Sequence, residues 1–215
     1  GLPRIALPSI TEPFTLCATP CCYDPPALPD APTFEAGQGL AQWPATPYES
    51  GQTTDLLLAA AAMGMMTGGT GLEASNRATV MLHTEPDGEL SLVTLVDAPG
   101  DGTGGSAELQ VTGVGLGGLV PQAMPGVFVV GSNWKWTDEA TALTWQWSWD
   151  GAGVSGGALR GVSATDCLRL EVLASDGLEG VDLLTEGGER IPLALDEAIT
   201  LCGTELKGIP ACGGM

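Results

Sequence analysis

The sequence predicts an all-β protein: a β-sandwich or jelly roll of about nine strands, with an extended Pro-rich N-terminal arm and at most one short helix. Three observations carry that expectation. Ten of the sixteen prolines fall within residues 3–47. From residue 76 onward, short runs alternate apolar and polar residues, at a spacing of roughly ten residues. Asp-Gly and Gly-Gly pairs separate many of those runs.

The arm comes first. Prolines at 3, 8, 13, 20, 25, 26, 29, 32, 44 and 47 exclude a helix or a central strand, because each lacks an N–H and fixes φ. Residues 1–50 are therefore expected to run as an extended, disulfide-pinned arm, and residues 51–215 to form the sandwich domain. One helix is expected over 54–66, capped by Thr53 or Thr54 and ended at Gly64 or Gly68. Strands follow at 78–84, 89–96, 107–114, 126–130, 142–149, 168–174, 181–185, 190–194 and 198–202. Between them, Asp87-Gly88, Asp150-Gly151, Asp176-Gly177 and Gly187-Gly188 supply the positive φ that tight hairpin turns require.

Charge narrows the partners. Seven Lys+Arg against 26 Asp+Glu give 7 − 26 = −19, so the clustered cations that bind nucleic acid or an anionic membrane are missing. The chain should still fold, since 44% apolar residues and a mean hydropathy of +0.19 exceed what a disordered acidic polymer carries. Its longest apolar stretch, residues 56–66, is well short of the roughly 20 residues that cross a bilayer. No membrane span is expected.

Six cysteines, Cys17, Cys21, Cys22, Cys167, Cys202 and Cys212, form an even set. Three disulfides are the natural expectation, with part of the arm tied to the C-terminal region. A zinc site would favour paired CxxC half-sites, and no such pair occurs. Disulfides imply an oxidising, extracellular or cell-surface location.

Three groups of residues can carry function. The only histidine, His83, lies in the run Thr79-Val80-Met81-Leu82-His83-Thr84 and reads as a strand residue on one face of a sheet. HExxH, P-loop and strand-GxGxxG-helix patterns are absent, and among 26 acids some carboxylate pair is always available, so abundance argues nothing for glycoside hydrolysis. No enzyme is expected. The second group is the tryptophans: Trp134, Trp136, Trp145, Trp147 and Trp149 fall within sixteen residues. Spacing of two puts Leu143, Trp145, Trp147 and Trp149 on one face of a strand, where they serve either as sheet-to-sheet core or as a stacking platform for sugar rings.

The third group is the loop Asp97-Ala98-Pro99-Gly100-Asp101-Gly102-Thr103-Gly104-Gly105. Asp97 and Asp101 stand four residues apart in a glycine-rich turn, and hard oxygen ligands with free backbone carbonyls suit Ca²⁺. Asp150, Glu108 or Asp138 are the expected spatial partners, while Asp166, Asp176, Asp182 and Glu186 read as surface charges.

The expected function is a non-enzymatic, secreted or cell-surface structural or adhesive subunit. It assembles with copies of itself, or into a surface layer, through its N-terminal arm, and calcium stiffens it. The alternative is a carbohydrate-binding module or lectin that holds a polysaccharide on the tryptophan platform.

Overall fold

The computed structural model describes residues 34–63, 70–114, 116–123, 134–139 and 142–203. Chain order is β1 (Phe34–Gln38), β2 (Ala41–Pro44), β3 (Tyr48–Glu49), α1 (Thr54–Ala62), β4 (Arg77–Thr84), β5 (Leu90–Val96), β6 (Gly105–Val114) and β7 (Val120–Ala123). There follow β8 (Trp134–Glu139), β9 (Ala142–Trp149), β10 (Ser155–Val162), β11 (Cys167–Asp176), β12 (Gly180–Leu184), β13 (Arg190–Leu193) and β14 (Ile199–Gly203). Sheet 1 runs β2-β1-β14-β11-β6-β9-β8, and sheet 2 runs β13-β12-β4-β5-β10-β7 with β3 also paired to β4. Sheet 1 is antiparallel throughout. Sheet 2 places β12 and β3 parallel to β4.

The all-β sandwich is present. One apolar cluster draws on both sheets, with Phe34, Leu109, Val111, Trp145, Leu168 and Leu201 from sheet 1 meeting Val80, Leu82, Leu92, Leu159 and Leu183 from sheet 2. A second cluster lies on the far side of sheet 2, where Leu57, Leu58, Ala61 and Ala62 of α1 cover Met81, Val93, Leu95, Ala158 and Leu184. The central strands of sheet 2 are thus buried on both faces. Each Leu or Val removed from water there contributes about 1.5–3 kcal/mol. The helix that provides this cover is capped as expected, with Thr53 Oγ1 accepting from Leu56 N.

The expected strands at 78–84, 89–96, 107–114, 142–149, 168–174, 181–185, 190–194 and 198–202 correspond to β4, β5, β6, β9, β11, β12, β13 and β14. The one expected at 126–130 lies outside the described residues. Two differences have plain causes. Residues 34–49 are not arm but three paired strands, because no proline occurs between Pro32 and Pro44 and that window can form the β1–β2 hairpin over Gly39, whose φ is +58°. Pro44 then closes an edge strand, where a missing N–H costs no ladder bond. The second is β10, a strand not among those expected from the sequence, with Gly156-Gly157 in its interior. A Cβ at Gly156 would sit 2.3 Å from Thr94 O, so glycine there permits the close pairing of β10 with β5.

Candidate functional site

Strands that alternate between sheets must be joined across the ends of the sandwich, and one end collects several of those joins. The β5–β6 connection (97–104) and the β9–β10 connection (150–154) cross between sheets there, beside the segment leading into β4 and the β11–β12 connection. Gly102 N donates to Gly151 O at 3.1 Å, Asp97 N to Arg77 O at 3.0 Å, and Glu179 N to Asn76 O at 2.7 Å. The joins are pressed together: Gly151 has φ +75°, and a Cβ on it would lie 2.3 Å from Thr103 N.

Asp97 sits at the centre of this junction with its carboxylate out of water. It is 0% exposed and adopts a left-handed φ of +71°, a conformation Asp tolerates better than most residues. Its Oδ1 accepts from Asn76 N at 3.0 Å. Its Oδ2 is buried and has no hydrogen-bond donor among the described residues. Burial pushes the Asp97 carboxyl up to about 6, with Asp101 beside it adding to the rise and the backbone N–H groups of Asn76 and Ala98 opposing it. Asp101 moves the other way. Burial works against its charge, but hydrogen bonds from Ser75, Thr103 Oγ1 and Thr103 N outweigh that and hold it below the ordinary carboxylate range.

The arrangement collects hard oxygens from two stretches of chain, 75–76 and 97–103. Two carboxylates face each other, Ser75 Oγ touches Asp101, and Thr103 Oγ1 lies 2.7 Å from both Asn76 Oδ1 and Asp101 Oδ2, its one proton shared between them. Oxygen sets of this kind suit a cation that accepts six to eight ligands in irregular geometry. The pair expected from sequence, Asp97 and Asp101, is therefore together in space. Of its expected partners, Asp150 Oδ1 accepts from Ala152 N within the adjoining turn, Glu108 pairs with Gln146 on sheet 1, and the Asp138 side chain lies outside the described residues. Ser75, Asn76 and Thr103 take their place. Thr103 was readable within the loop itself, but Ser75 and Asn76 reach the site only through the β4–β5 pairing.

A second acidic group lies at the β4–β5 hairpin. Glu85, Asp87 and Glu89 can bring oxygens within 4.8 Å of one another, near enough to share a metal ion; Glu85 is buried and the other two are exposed. Here a cation is already supplied. Arg160 meets Glu85 at 2.8 Å and Glu89 at 3.3 Å, with Asp55 at 3.6 Å. Each of the other described arginines is also ion-paired, Arg77 and Arg190 with Asp182 and Arg169 with Glu171. Asp182 and Asp166 are thus not surface charges: both are buried, Asp182 behind its two arginines and Asp166 accepting from Ser163 N at 2.7 Å.

His83 lies on β4 as expected, on the face that α1 covers, and is 0% exposed. The fold brings two hydroxyls to it and a third behind them. Ser50 Oγ lies 2.7 Å from Nε2, Thr54 Oγ1 lies 3.1 Å from Nδ1, and Thr54 Oγ1 donates to Ser91 Oγ at 3.1 Å. A threonine has one hydroxyl proton, so Thr54 must accept from His83 Nδ1–H. Burial lowers the His83 pKa against the opposing charge of Glu85, which keeps the ring neutral and leaves Nε2 as acceptor for the Ser50 hydroxyl. Nothing local in the sequence links Ser50 to His83. The link is made by the parallel register of β3 on β4, Tyr48 opposite His83.

Trp145, Trp147 and Trp149 are 2%, 4% and 4% exposed and belong to the inter-sheet core, while Gln146 between them is exposed. A sugar platform needs open ring faces, so these three indoles take the core alternative and not the platform. Trp145 and Trp147 pack on each other at 5.3 Å between centroids, tilted by 49°. Trp136 and Trp134 on β8 stand in register with them, but their side chains lie outside the described residues. Cys167 and Cys202 form a disulfide across β11 and β14. Cys17, Cys21, Cys22 and Cys212 lie outside the described residues. No helix among the described residues is long and apolar enough to cross a membrane.

Comparison with protein-family models, curated proteins and solved structures finds no match to this chain.

Proposed function

We propose that the chain is a structural or adhesive β-sandwich subunit of an extracellular surface, stiffened by a calcium ion held at Asp97 and Asp101. One observation carries the reading: a fully buried carboxylate, Asp97, keeps an oxygen without a donor among the described residues, beside a second carboxylate. Two like charges, one of them fully buried, are costly to hold together, and a divalent cation removes that cost while joining the β5–β6 connection to the segment that leads into β4. Ser155 Oγ, just past the adjoining β9–β10 connection, is likewise buried without a partner among the described residues. The Cys167–Cys202 bridge supports an oxidising compartment, where calcium is abundant. Assembly through the N-terminal arm completes the reading, since bound cations offset part of the −19 charge that makes copies repel.

The test is thermal unfolding in EDTA and in calcium. A ligand present at about 100 times its Kd stabilises by about 2.7 kcal/mol, which in a chain of this size raises Tm by roughly 5–10 °C. Asp101→Asn should remove most of that shift, and Asp87→Asn, on the hairpin held by Arg160, should leave it intact. Equal melting in EDTA and calcium, or a shift lost with Asp87→Asn instead, overturns the assignment. Light scattering with and without residues 1–33 tests the assembly. A strictly monomeric intact chain at high concentration refutes that part alone.

A further inference from the structure

We propose that Ser50 is a nucleophile, activated by His83, that accepts a short apolar acyl group from an ester. The proposal goes beyond the structural reading and does not rest on the calcium site. Its basis is a chain of hydrogen bonds with one consistent direction: Ser50 Oγ–H to His83 Nε2 at 2.7 Å, His83 Nδ1–H to Thr54 Oγ1 at 3.1 Å, Thr54 Oγ1–H to Ser91 Oγ at 3.1 Å. A general base must lie within about 2.6–3.2 Å of the proton it takes and present a lone pair to it, and His83 does both. The tautomer is imposed by Thr54, which has given its only proton to Ser91. Thr54 is therefore a positioning residue, in the role that a carboxylate fills in more familiar nucleophile–base–orienter sets. Gln52 N donates to Ser50 Oγ at 3.1 Å, which fixes the hydroxyl oxygen and leaves its proton for the histidine.

Location separates this group from an ordinary buried polar network. His83, Thr54 and Ser91 are each 0% exposed, whereas Ser50 is half-buried and lines two clefts at once. One, of about 410 Å³, offers Tyr48, Leu57, Ala60, Met63 and Leu72 as an apolar wall. The other, of about 490 Å³, is polar and carries Glu49, Thr84 and Glu85. An ester spanning them would place its acyl chain on the apolar side and its alcohol on the acidic side, where a neutral or cationic leaving group is favoured. In the step, Ser50 Oγ bonds to the carbonyl carbon and its proton passes to His83 Nε2. The bond from that carbon to the alcohol oxygen then breaks, and the departing alcohol takes the proton from Nε2. Water entering by the same route, with His83 again as base, releases the carboxylic acid and restores Ser50.

A fluorophosphonate is the direct probe, because the Ser50 Oγ–P bond forms as P–F breaks and fluoride leaves. Peptide mass mapping of the full chain should find the adduct on Ser50, formed about 100-fold faster than on any other serine, the low end of what a positioned base contributes. Release of p-nitrophenol from p-nitrophenyl butyrate should accompany it and be lost in Ser50→Ala, which alters only a half-buried hydroxyl. Thr54→Val should slow labelling by about tenfold or more, and Thr54→Ser, which restores the acceptor, should recover it. This rescue distinguishes positioning from mere loss of fold and avoids substituting the buried histidine. Labelling of Ser50 no faster than that of other serines, or equal labelling in Thr54→Val, overturns the proposal. Either result leaves the calcium-dependent melting untouched.

Discussion

The two sheets each contain seven strands, yet they treat water differently. Sheet 1 has one buried face and one wet one, and β9 shows it residue by residue: Leu143, Trp145, Trp147 and Trp149 point into the core, and Gln146 points out. Sheet 2 has no wet face at its centre. Val80, Leu82 and Leu92 meet sheet 1 while Met81, Val93 and Leu95 meet α1, so all seven residues of β5 are buried. Polar side chains follow suit. On the outer face of sheet 1, Glu108 and Gln146 pair in the open at 2.7 Å. On the covered face of sheet 2, His83, Ser91 and Thr79 must be satisfied by protein alone, by Thr54 and Ser50 in one case and by Arg190 in another. Where both faces of a sheet are dry, each remaining polar atom is either networked or orphaned, and the two functional candidates of this chain are one of each kind.

The largest effects should come from the faces that the sheets bury. Trp147→Ala removes an indole that is 4% exposed from the shared core and should cost about 4 kcal/mol, read from the denaturant midpoint at unchanged slope. Leu58→Ala, on the helix rather than in either sheet and 0% exposed, should cost about 3 kcal/mol. The second figure tests the comparison. A loss below about 1 kcal/mol would mean that α1 lies loosely on sheet 2 and that its second face is not core.

This asymmetry also explains what could be read from the sequence. Period-two alternation marks a strand with one wet face, and β9 was read to the residue, Ala142–Trp149. The tryptophans alternate with Thr, Gln and Ser because water lies beyond them. In α1 and the strands beneath it alternation fails, which is why Leu56-Leu57-Leu58 resembles a buried strand as much as a helix. The Asp97/Asp101 pair was legible because both residues share one loop. Ser75, Asn76 and Ser50 were not, since strand register brings them to their partners across 21 to 33 residues. The strands within residues 34–49 are masked in the sequence by the proline density around a proline-free window long enough for a hairpin.

Two further predictions act on sheet 1 and on the junction between the sheets. Cys167→Ser with Cys202→Ser removes a bridge closing 35 residues of sequence, and the loss should be about 3 kcal/mol, mostly through a looser unfolded chain. In EDTA, Asp97 should give stability an unusual pH slope. Its folded carboxyl sits at about 6 against an ordinary 3.8, so between those values the folded state holds a proton that the unfolded chain has lost. Stability from this group is complete below about pH 4, falls as pH rises to about 6, and is flat above, a change of about 3 kcal/mol for a shift of about two units. His83, lowered by burial, acts oppositely as pH falls through its ordinary value. Asp97→Asn leaves His83 in place, so the difference between the two proteins across pH 4–6 isolates the carboxylate; parallel slopes would place Asp97 in water.

The smallest effect is the one that most sharply separates the sheets. Glu108 and Gln146 are directly opposite on β6 and β9 and form their hydrogen bond at 2.7 Å on the outer face of sheet 1, where water competes for both groups. Glu108→Ala should therefore change stability by less than about 0.5 kcal/mol, as exposed polar pairs do. Val93→Ala makes a comparable truncation on the outer face of sheet 2, where the side chain is 0% exposed under α1, and should cost about 2 kcal/mol through transfer and cavity terms together. Equal losses at the two positions would show that both outer faces have the same solvent access. A fourfold difference in favour of Val93 would show that α1, a helix of nine residues, gives sheet 2 its second core and covers the face on which His83 is buried.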